Sequence, residues 1–419
     1  MKKLITFLGT GDYSVVTYNY GNTCVRTRYV QECIANILGS DVEFIVVLTE
    51  KAKATNWEGK GKAKGSDEEC DKLQNILIKN NIKYRELEIF DGNNSDEMWS
   101  NFDKIFDALE EGDEVYVDVT HSFRSIPFII MSVLNYARFI KNIEVKDIFY
   151  GAYDAKVNDV APIFNLSIFN HITDWTIGAE KFLNTGDSRQ LAMIISSTIK
   201  PILIESKGKN QDANIARKIK DDLESFSGGL YTVRGNSISE YGIALKTTLE
   251  SIKKIELIEL KPFEKILDKI FEKVYFYSDS IVRDIHNTVK LSRDLRLIQQ
   301  SYTFLQENII NYLCHMGNIN IHNVNERELT VTVLLSYHKL KNIKLKDEYL
   351  IINEKIKDYA SHELAALYDD IGDYRNDLNH AGYRQDSKEY KGFAKKLDSF
   401  ILDFEKLVFD KNVEMELIV

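Results

Sequence analysis

The first 165 or so residues alternate short apolar runs with amphipathic stretches, whereas the rest of the chain is made mostly of long amphipathic stretches. Apolar runs of five to seven residues are typical of buried strands, and the stretches between them have helical periodicity. Strands that alternate with helices form a parallel sheet with crossover helices, so this region is predicted to be a doubly wound, Rossmann-like α/β domain. The predicted strands are Leu4–Leu8, Phe44–Leu48, Tyr84–Ile89, Val115–Val119 and Asp147–Tyr153, and the predicted helices lie around 26–38, 67–80, 96–110 and 127–140.

From about residue 168 onward strand signals nearly vanish. Helices are predicted over 175–185, 188–205, 211–227, 239–276 and 279–313. The fold of 228–260, which contains the strand-like run Leu230–Val233, and that of 319–352 are left open. No repeat and no low-complexity linker separates the halves. We therefore predict an α/β domain over 1–167 and an all-α region over 168–419.

Composition narrows the function classes. The 419 residues carry a formal net charge of −10, which argues against a basic groove for duplex DNA. No apolar stretch is long enough to cross a bilayer, so a cytoplasmic protein without membrane contact is expected. The four cysteines lack Cys-x-x-Cys spacing, and His315 and His322 have no further ligand at helpful spacing, so neither a metal nor another cofactor is predicted.

Ligands of open parallel sheets bind beyond the carboxyl ends of the strands. After the first strand, Gly9, Thr10, Gly11 and Asp12 form a loop whose glycines allow backbone amides to approach an anion. Ser14 stands where a dinucleotide-binding fingerprint would have its third glycine, and a plain tight turn is the alternative. Lys51 follows the second strand and could contact the same ligand, or it could be solvated surface.

A third loop follows the fourth strand and is rich in hydrogen-bonding side chains. Arginine suits forked phosphate contacts, and hydroxyl groups suit phosphate or ribose oxygens. The alternative is a capping cluster for the next helix, with Ser125 as N-cap and Pro127 near the helix start. The candidate ligand residues of this loop are Thr120, His121, Ser122, Phe123 and Arg124.

These loops together resemble the CARF domain, the CRISPR-associated Rossmann-like fold that senses cyclic oligoadenylates. The resemblance lies in the run Asp118–Pro127, the opening Phe7–Gly11, the segment Asn22–Val30 and the segment Leu48–Ala52, and it covers most of 1–165. It implies a cyclic oligoadenylate as allosteric activator, with the tetra-adenylate ring favoured over the hexa-adenylate ring. The sequence leaves the ring size open.

Near the C-terminus an arginine and a histidine are separated by four residues, Arg375 and His380, at the end of a long helical segment. Cleavage of RNA without a metal needs the 2′-hydroxyl as nucleophile, a group of near-neutral pKa to move protons and a cation beside the phosphorane. Residues five apart lie about 140° around a helix. One copy therefore makes a poor site, and two chains related by a two-fold axis would make a better one.

The hexapeptide resembles the motif of HEPN ribonucleases, in which the site is shared between two protomers. This resemblance implies that Arg375, Asn376 and His380 are catalytic, that single-stranded RNA is the substrate, and that the products carry a cyclic phosphate. It also implies a homodimer or a higher oligomer. The alternative is that Arg375 pairs with Asp370 or Asp373 on the preceding turn and that His380 merely ends the helix.

We thus predict a cyclic-oligoadenylate sensor joined to a metal-independent endoribonuclease of type III CRISPR defence. One alternative is a ligand-responsive regulator or adaptor that cleaves nothing, which would not need the spacing of Arg375 and His380. A second alternative is a nicotinamide-dependent enzyme. The missing third glycine speaks against it, as does the lack of an acidic residue at the end of the second strand, although Glu50 is close by.

Overall fold

A computed structural model describes most of the chain, which divides into two compact units, Met1–His171 and Ile172–Val419. The predicted fold class is confirmed, since the first unit is an α/β unit built on an eight-stranded sheet and the second contains only helices among its described residues. The boundary predicted at 167/168 falls at the first residue of a helix, Ser167–Thr185. The described residues are 1–65, 67–121, 126–251, 256–338 and 347–410.

The sheet of the first unit has the strand order β3-β2-β10-β9-β8-β1-β4-β7. The central strands β9, β8, β1, β4 and β7 pair in parallel, β10 is antiparallel to β9, and the β2–β3 hairpin extends that edge. β5 and β6 form a separate two-stranded sheet. The strands are β1 Lys2–Phe7, β2 Val16–Tyr20, β3 Thr23–Thr27, β4 Glu43–Leu48, β5 Lys60–Lys62, β6 Glu69–Asp71, β7 Tyr84–Glu88, β8 Glu114–Asp118, β9 Glu144–Gly151 and β10 Val160–Asn165.

Helices cover both faces of this sheet, because alternate residues of a strand point to opposite sides. Leu4 of β1 packs into one core and Ile5 into the other. The first core contains buried residues of α1 and α3, and the second contains buried residues of α4 and α5. The helices of this unit are α1 Val30–Leu38, the single turn α2 Glu50–Ala52, α3 Leu73–Lys79, α4 Ser95–Asp107 and α5 Ile126–Ile140.

Two predicted helices of this unit begin later than the sequence indicated. The helix predicted from residue 26 begins at Val30, because residues 16–27 form the β2–β3 hairpin. The helix predicted from residue 67 begins at Leu73, after β6. Both errors have one cause: short edge strands with little apolar alternation gain their stability from pairing with a neighbour, which local periodicity does not register.

The second unit is a bundle of helices around one continuous core. The predicted helix 239–276 is two helices, and the predicted helix 279–313 is broken between Asp294 and Ile298. The strand-like run Leu230–Val233 lies at the end of a helix, and 319–352 contains two more helices. The helices are α6 Ser167–Thr185, α7 Arg189–Glu205, α8 Gln211–Tyr231, α9 Ile238–Ser251, α10 Lys261–Phe271, α11 Ile281–Asp294, α12 Ile298–Met316, α13 Val324–His338, α14 Asp347–Ile356, α15 His362–Asn379 and α16 Tyr390–Glu405.

α12 is the most buried helix of this bundle, and it packs against α11, α13, α15 and α16. Its apolar residues, such as Leu305 and Ile309, are fully buried all round the helix, which is the pattern of a central helix. Half-buried polar side chains remain on it, and Glu307 is one of them. A charged residue on such a helix requires a partner, and the partners of Glu307 lie on α13 and α15.

We predict that Gly242→Ala lowers the free energy of unfolding by about 1 to 3 kcal/mol, because the new methyl group overpacks the core. A Cβ at Gly242 would lie 2.4 Å from the ring of Tyr277. That ring is buried, and its hydroxyl is bonded to Thr288, so it cannot move aside cheaply. The control is Gly228→Ala in α8, where a Cβ meets nothing within 4 Å and stability should hold or rise by about 1 kcal/mol. Thermal unfolding of both variants tests this, and equal melting temperatures would contradict it.

Candidate functional site

The structure brings the predicted loops after β1 and β8 together, because these two strands are neighbours and Thr6 pairs with Asp118 in register. The rings of Tyr13 and His121 stack with their centroids 4.0 Å apart. A Cβ at Gly9 would lie 3.0 Å from the backbone oxygen of His121, so only glycine allows this approach without a shift. The two loops therefore form one surface at the carboxyl edge of the sheet.

The loop at Gly9 is supported by Asn56, a residue that no sequence motif indicated. The Nδ2 of Asn56 donates to the backbone oxygens of Gly9 and Gly11, at 2.9 Å each. The amide of Gly9 donates to the hydroxyl of Tyr13 at 2.8 Å. Asn56 is fully buried and lies in a π-helical turn, Lys53–Trp57, that follows α2. An asparagine in a predicted loop carries no sequence signal for this role, which only the tertiary contact defines.

Thr120 links the ends of β8 and β9, and through Asp118 it is also linked to β1. Its hydroxyl donates to Oδ1 of Asp118 at 2.6 Å and accepts from the amide of Gly151 at 2.8 Å. Thr6 donates to the other oxygen of Asp118 at 2.7 Å. Burial is the main influence on the pKa of the Asp118 carboxyl and raises it, while these hydrogen bonds oppose the shift. Thr120 thus anchors the loop, and its role as a ligand residue stays a prediction.

The other predicted ligand residues differ in their surroundings. Thr10, Gly11 and Asp12 are exposed. Lys51 is exposed, and its ammonium lies 3.1 Å from a carboxylate oxygen of Asp91. Solvent screening makes such a surface ion pair weak, so Lys51 remains available to an anion. Ser122, Phe123 and Arg124 lie outside the described residues.

His121 is the histidine of this surface, and it is half-buried. Its Nε2 is shielded from solvent and has no hydrogen-bond partner in the described part of the chain. Burial lowers the pKa of the imidazole to about 4, because the charged form loses its hydration without gaining a partner. The ring is therefore neutral near pH 7. A neutral imidazole with one free polar atom suits a hydrogen bond to a ligand or a purely structural contact with Tyr13.

In the second unit, α15 carries the predicted catalytic residues. Arg375 is half-buried, and its Nη1 lies 3.7 Å from Oε1 of Glu307 on α12. Oε2 of Glu307 accepts a hydrogen bond from Arg327 at 2.8 Å. The Nε of Arg375 is buried and has no partner within the described residues. The guanidinium is thus held by one loose ion pair and keeps most of its hydrogen-bonding capacity.

The alternative pairing of Arg375 with Asp373 does not occur. The carboxylate of Asp373 contacts Arg384 at 2.9 Å and the ammonium of Lys388 instead. These contacts hold the pKa of the Asp373 carboxyl below its usual range, with the Lys388 hydrogen bond as the largest cause. Asp370 takes no part in any ion pair with Arg375 among the described residues. The long-range partner Glu307 was not anticipated, because it is distant in sequence.

His380 is the residue at which α15 ends. Its amide donates to the backbone oxygen of Asn376 at 2.9 Å, and the next two residues, Ala381 and Gly382, have φ of 53° and 73°. This left-handed turn ends the helix and leaves the side chains of Asn376 and His380 exposed. No hydrogen bond or ion pair joins Arg375 to His380 in the parts of the chain that the structure describes. The geometry within one chain thus gives a cation held against α12 and a separate, solvent-exposed imidazole.

A pocket of about 360 Å³ lies beside Glu307, and Arg375 is not among its lining residues. Thr303, Glu307 and Asn311 recur every four residues along α12 and line it together. Arg327 completes the polar lining with its bonds to Glu307 and Asn311. No local sequence pattern indicates this pocket, since its lining residues come from separate helices.

The described residues contain no group of three or more histidine, cysteine, aspartate or glutamate side chains that could hold a metal ion. His315 and His322 accordingly have no further ligand there. Among the same residues, every helix is too short or too polar to traverse a bilayer.

Residues 3–154 match the family of the CARF domain of the CRISPR system endoribonuclease Csx1. Residues 171–276 match the second domain of the CRISPR-associated protein MJ1674. MJ1674 of Methanocaldococcus jannaschii is 27% identical over 235 residues, which are 54% of this chain and 34% of that protein. The chain thus spans about a third of the length of this relative. The resemblance of the first unit to CARF domains is confirmed, while both family matches end before α15, so the HEPN resemblance stays a prediction.

We predict that His121 makes the first unit less stable in mild acid. The unfolded chain binds a proton at His121 below about pH 6.5, whereas the folded chain does so only near pH 4. The contribution is therefore present above pH 6.5 and is lost as the pH falls toward 4, by about 1 to 3 kcal/mol. In His121→Phe, which retains the stacking on Tyr13, the melting temperature should fall less between pH 7 and pH 4.5. Parallel pH profiles for the two proteins would contradict this.

Proposed function

We propose that this chain, which is a CARF-containing CRISPR-associated protein, is an endoribonuclease that a cyclic oligoadenylate activates. It would act in the cytoplasm as an ancillary effector of a type III CRISPR system and cleave single-stranded RNA without a metal ion. The observation that carries the proposal is the order of its parts. A CARF domain precedes an all-helical unit, in which α15 carries Arg375 and ends at an exposed histidine, His380.

His380 and Arg375 suit the two tasks of metal-independent RNA cleavage. The 2′-oxygen attacks the adjacent phosphorus, the bond from phosphorus to the 5′-oxygen breaks, and a 2′,3′-cyclic phosphate and a 5′-hydroxyl form. His380 takes the proton of the 2′-hydroxyl or delivers one to the leaving 5′-oxygen. Arg375, always charged and with unused donors, stabilises the negative phosphorane. Asn376 is exposed on the same helix end and would hydrogen-bond a phosphate or ribose oxygen.

A homodimer supports this proposal better than a single chain. Arg375 contacts α12, whereas His380 lies exposed at the end of α15. Two copies of α15 around a two-fold axis would place the histidines and arginines of both chains beside one phosphate. One histidine could then act as base while the other acts as acid.

The activator would bind at the carboxyl edge of the sheet in the first unit. The exposed loop Thr10–Asp12 and the region of His121 meet there, and Lys51 lies in α2, which follows the neighbouring strand β4. The resemblance favours a cyclic tetra-adenylate over the hexa-adenylate, and the two-fold axis that both rings possess would match a two-fold pair of such surfaces. Activation requires that the ring bind the cleaving state of the dimer more tightly than the resting state.

We predict that the protein cleaves a fluorescent single-stranded RNA in excess EDTA only when a cyclic oligoadenylate is present. His380→Ala should lower kcat by about a hundredfold or more, because it removes proton transfer, and should bind the ring as tightly as the wild type. Tyr383→Phe is the control, since this exposed residue lies outside the motif. Full cleavage by His380→Ala would remove His380 from the mechanism. Ring binding without any cleavage by the wild type would support the adaptor alternative.

A second prediction concerns Glu307, which holds Arg375. Glu307→Gln removes the charge that positions the guanidinium and should lower kcat about tenfold, with a smaller change in KM. Glu307→Asp should recover part of the loss. The control is Glu328→Gln on α13, because Glu328 is exposed. A rise in ring-independent cleavage by Glu307→Gln would instead show that the ion pair restrains Arg375 in the resting state.

A further inference from the structure

The first unit buries a cation, Arg28, that has no carboxylate partner among the residues that the structure describes. Arg28 is only 5% exposed. Its Nη1 donates to the sulfur of Cys70 at 3.2 Å and its Nη2 to Oδ1 of Asn56 at 3.4 Å, while its charge lies 4.9 Å from the centre of the Tyr29 ring. Its Nε is buried and without a partner in the described part of the chain. All of these partners are neutral groups.

Burial of a charge without a counter-charge is costly, and this fold elsewhere avoids it. Lys3 is as deeply buried as Arg28, but its ammonium lies 2.7 Å from Asp113 and 3.3 Å from Glu110. No ion pair to Arg28 occurs among the described residues. The other buried charged group of this region, Asp118, is bonded to hydroxyls and an amide and not to Arg28. Within the described part of the chain, the positive charge of Arg28 therefore has no negative partner.

The side chain of Asn56 lies between the guanidinium of Arg28 and the loop at Gly9 and Gly11. Asn56 accepts from Arg28 and donates to the backbone oxygens of Gly9 and Gly11. Burial raises the pKa of the Tyr13 hydroxyl, the group bonded to the Gly9 amide, to about 12; the charge of Asp118 adds to that rise and the charge of Arg28 opposes it. Tyr13 thus lies within range of both charges.

The orientation of the loop adds to this field. In a trans peptide the C=O and N–H bonds point in opposite directions, and the described residues contain no cis peptide bond. Since the oxygens of Gly9 and Gly11 face Asn56, the amide hydrogens of Thr10 and Asp12 face away from it. Both of these residues are exposed, and neither amide donates a hydrogen bond within the described chain. Outward N–H groups of neighbouring residues in a turn are the donors that proteins commonly use to bind an anion.

We propose that Arg28 is the built-in counter-charge of an anion site formed by the amides of Thr10 and Asp12, with Asn56 as the connecting residue. The ligand class is a phosphodiester or other phosphate group. The inference rests on the proposed function in one respect, which is that a cyclic oligoadenylate supplies the phosphate in the cell. Binding of the anion supplies a negative charge near Arg28. The free protein is therefore less stable than it would be with a carboxylate beside this arginine.

Cys70 offers a test that leaves the loop and Arg28 unchanged. Cys70→Asp places a carboxylate beside the guanidinium, and Cys70→Asn is its neutral control of the same shape. The Asp variant should melt at a higher temperature than the Asn variant and bind both inorganic pyrophosphate and cyclic tetra-adenylate about tenfold more weakly, as expected for the loss of one charge interaction at this range. Opposite changes in stability and affinity are the signature of an uncompensated charge.

Arg28 itself supplies the second test. Arg28→Met should bind pyrophosphate about tenfold more weakly than the wild type, and Arg28→Lys, which retains the charge, should recover most of that loss. The control is Arg26→Met, which removes an exposed arginine that pairs with Asp159 and should change affinity less than twofold. Isothermal titration calorimetry at low and high salt measures each value, and the salt dependence should be smaller in Arg28→Met.

The outcomes separate this inference from the proposed function. If pyrophosphate binds as predicted but neither cyclic tetra-adenylate nor cyclic hexa-adenylate does, Arg28 supports an anion site while the proposed activator is wrong. If the Asp and Asn variants of Cys70 bind pyrophosphate equally, or if Arg28→Lys loses as much affinity as Arg28→Met, the charge of Arg28 is not the cause and the inference fails. Failure of the wild type to bind pyrophosphate at all would overturn it as well.

Discussion

The candidate sensor surface depends on the hydrogen bonds of one buried carboxylate, Asp118. Thr6 on β1 and Thr120 after β8 donate to its two oxygens, and Thr120 also accepts from the amide of Gly151. The ends of three neighbouring strands are thereby fixed to one another. A buried carboxylate costs free energy unless its hydrogen bonds are satisfied, so a change at any of these residues disturbs the others. The loops at Gly9 and His121 owe their proximity to this network.

The arginines at the two candidate sites carry a charge opposite in sign to the net charge of the chain. The chain is acidic overall, with a formal net charge of −10, yet both candidate sites contain an arginine with an incomplete set of partners. Arg28 has no carboxylate partner in the described ranges of the chain, and Arg375 shares the carboxylate of Glu307 with Arg327. Because water screens distant charges and burial removes that screening, we expect these two arginines to influence the binding of an anion more than the net charge does. An acidic chain is therefore compatible with two phosphate-binding surfaces.

The helices of the second unit pack around one central helix, α12. α12 is buried on nearly all sides, and its polar positions Thr303, Glu307 and Asn311 open onto one pocket. A buried helix with one polar stripe can serve as a rigid support for side chains from its neighbours. Arg375 of α15 and Arg327 of α13 meet at Glu307 for this reason. The exposed His380 needs no such support, since the end of α15 positions it.

The sequence by itself determined the α/β and all-α division, the central strands, and the identity of Gly9–Asp12, His121, Arg375 and His380 as candidates. These features follow from local periodicity and short motifs. Only the tertiary structure decided that Asn56 supports the Gly9 loop and that Arg375 pairs with Glu307 and not with Asp373. It also decided that Arg28 is buried with no counter-charge among the described residues. Such facts depend on contacts between residues that are distant in sequence, and neither hydrophobic patterning nor residue spacing carries information about a hydrogen-bond partner.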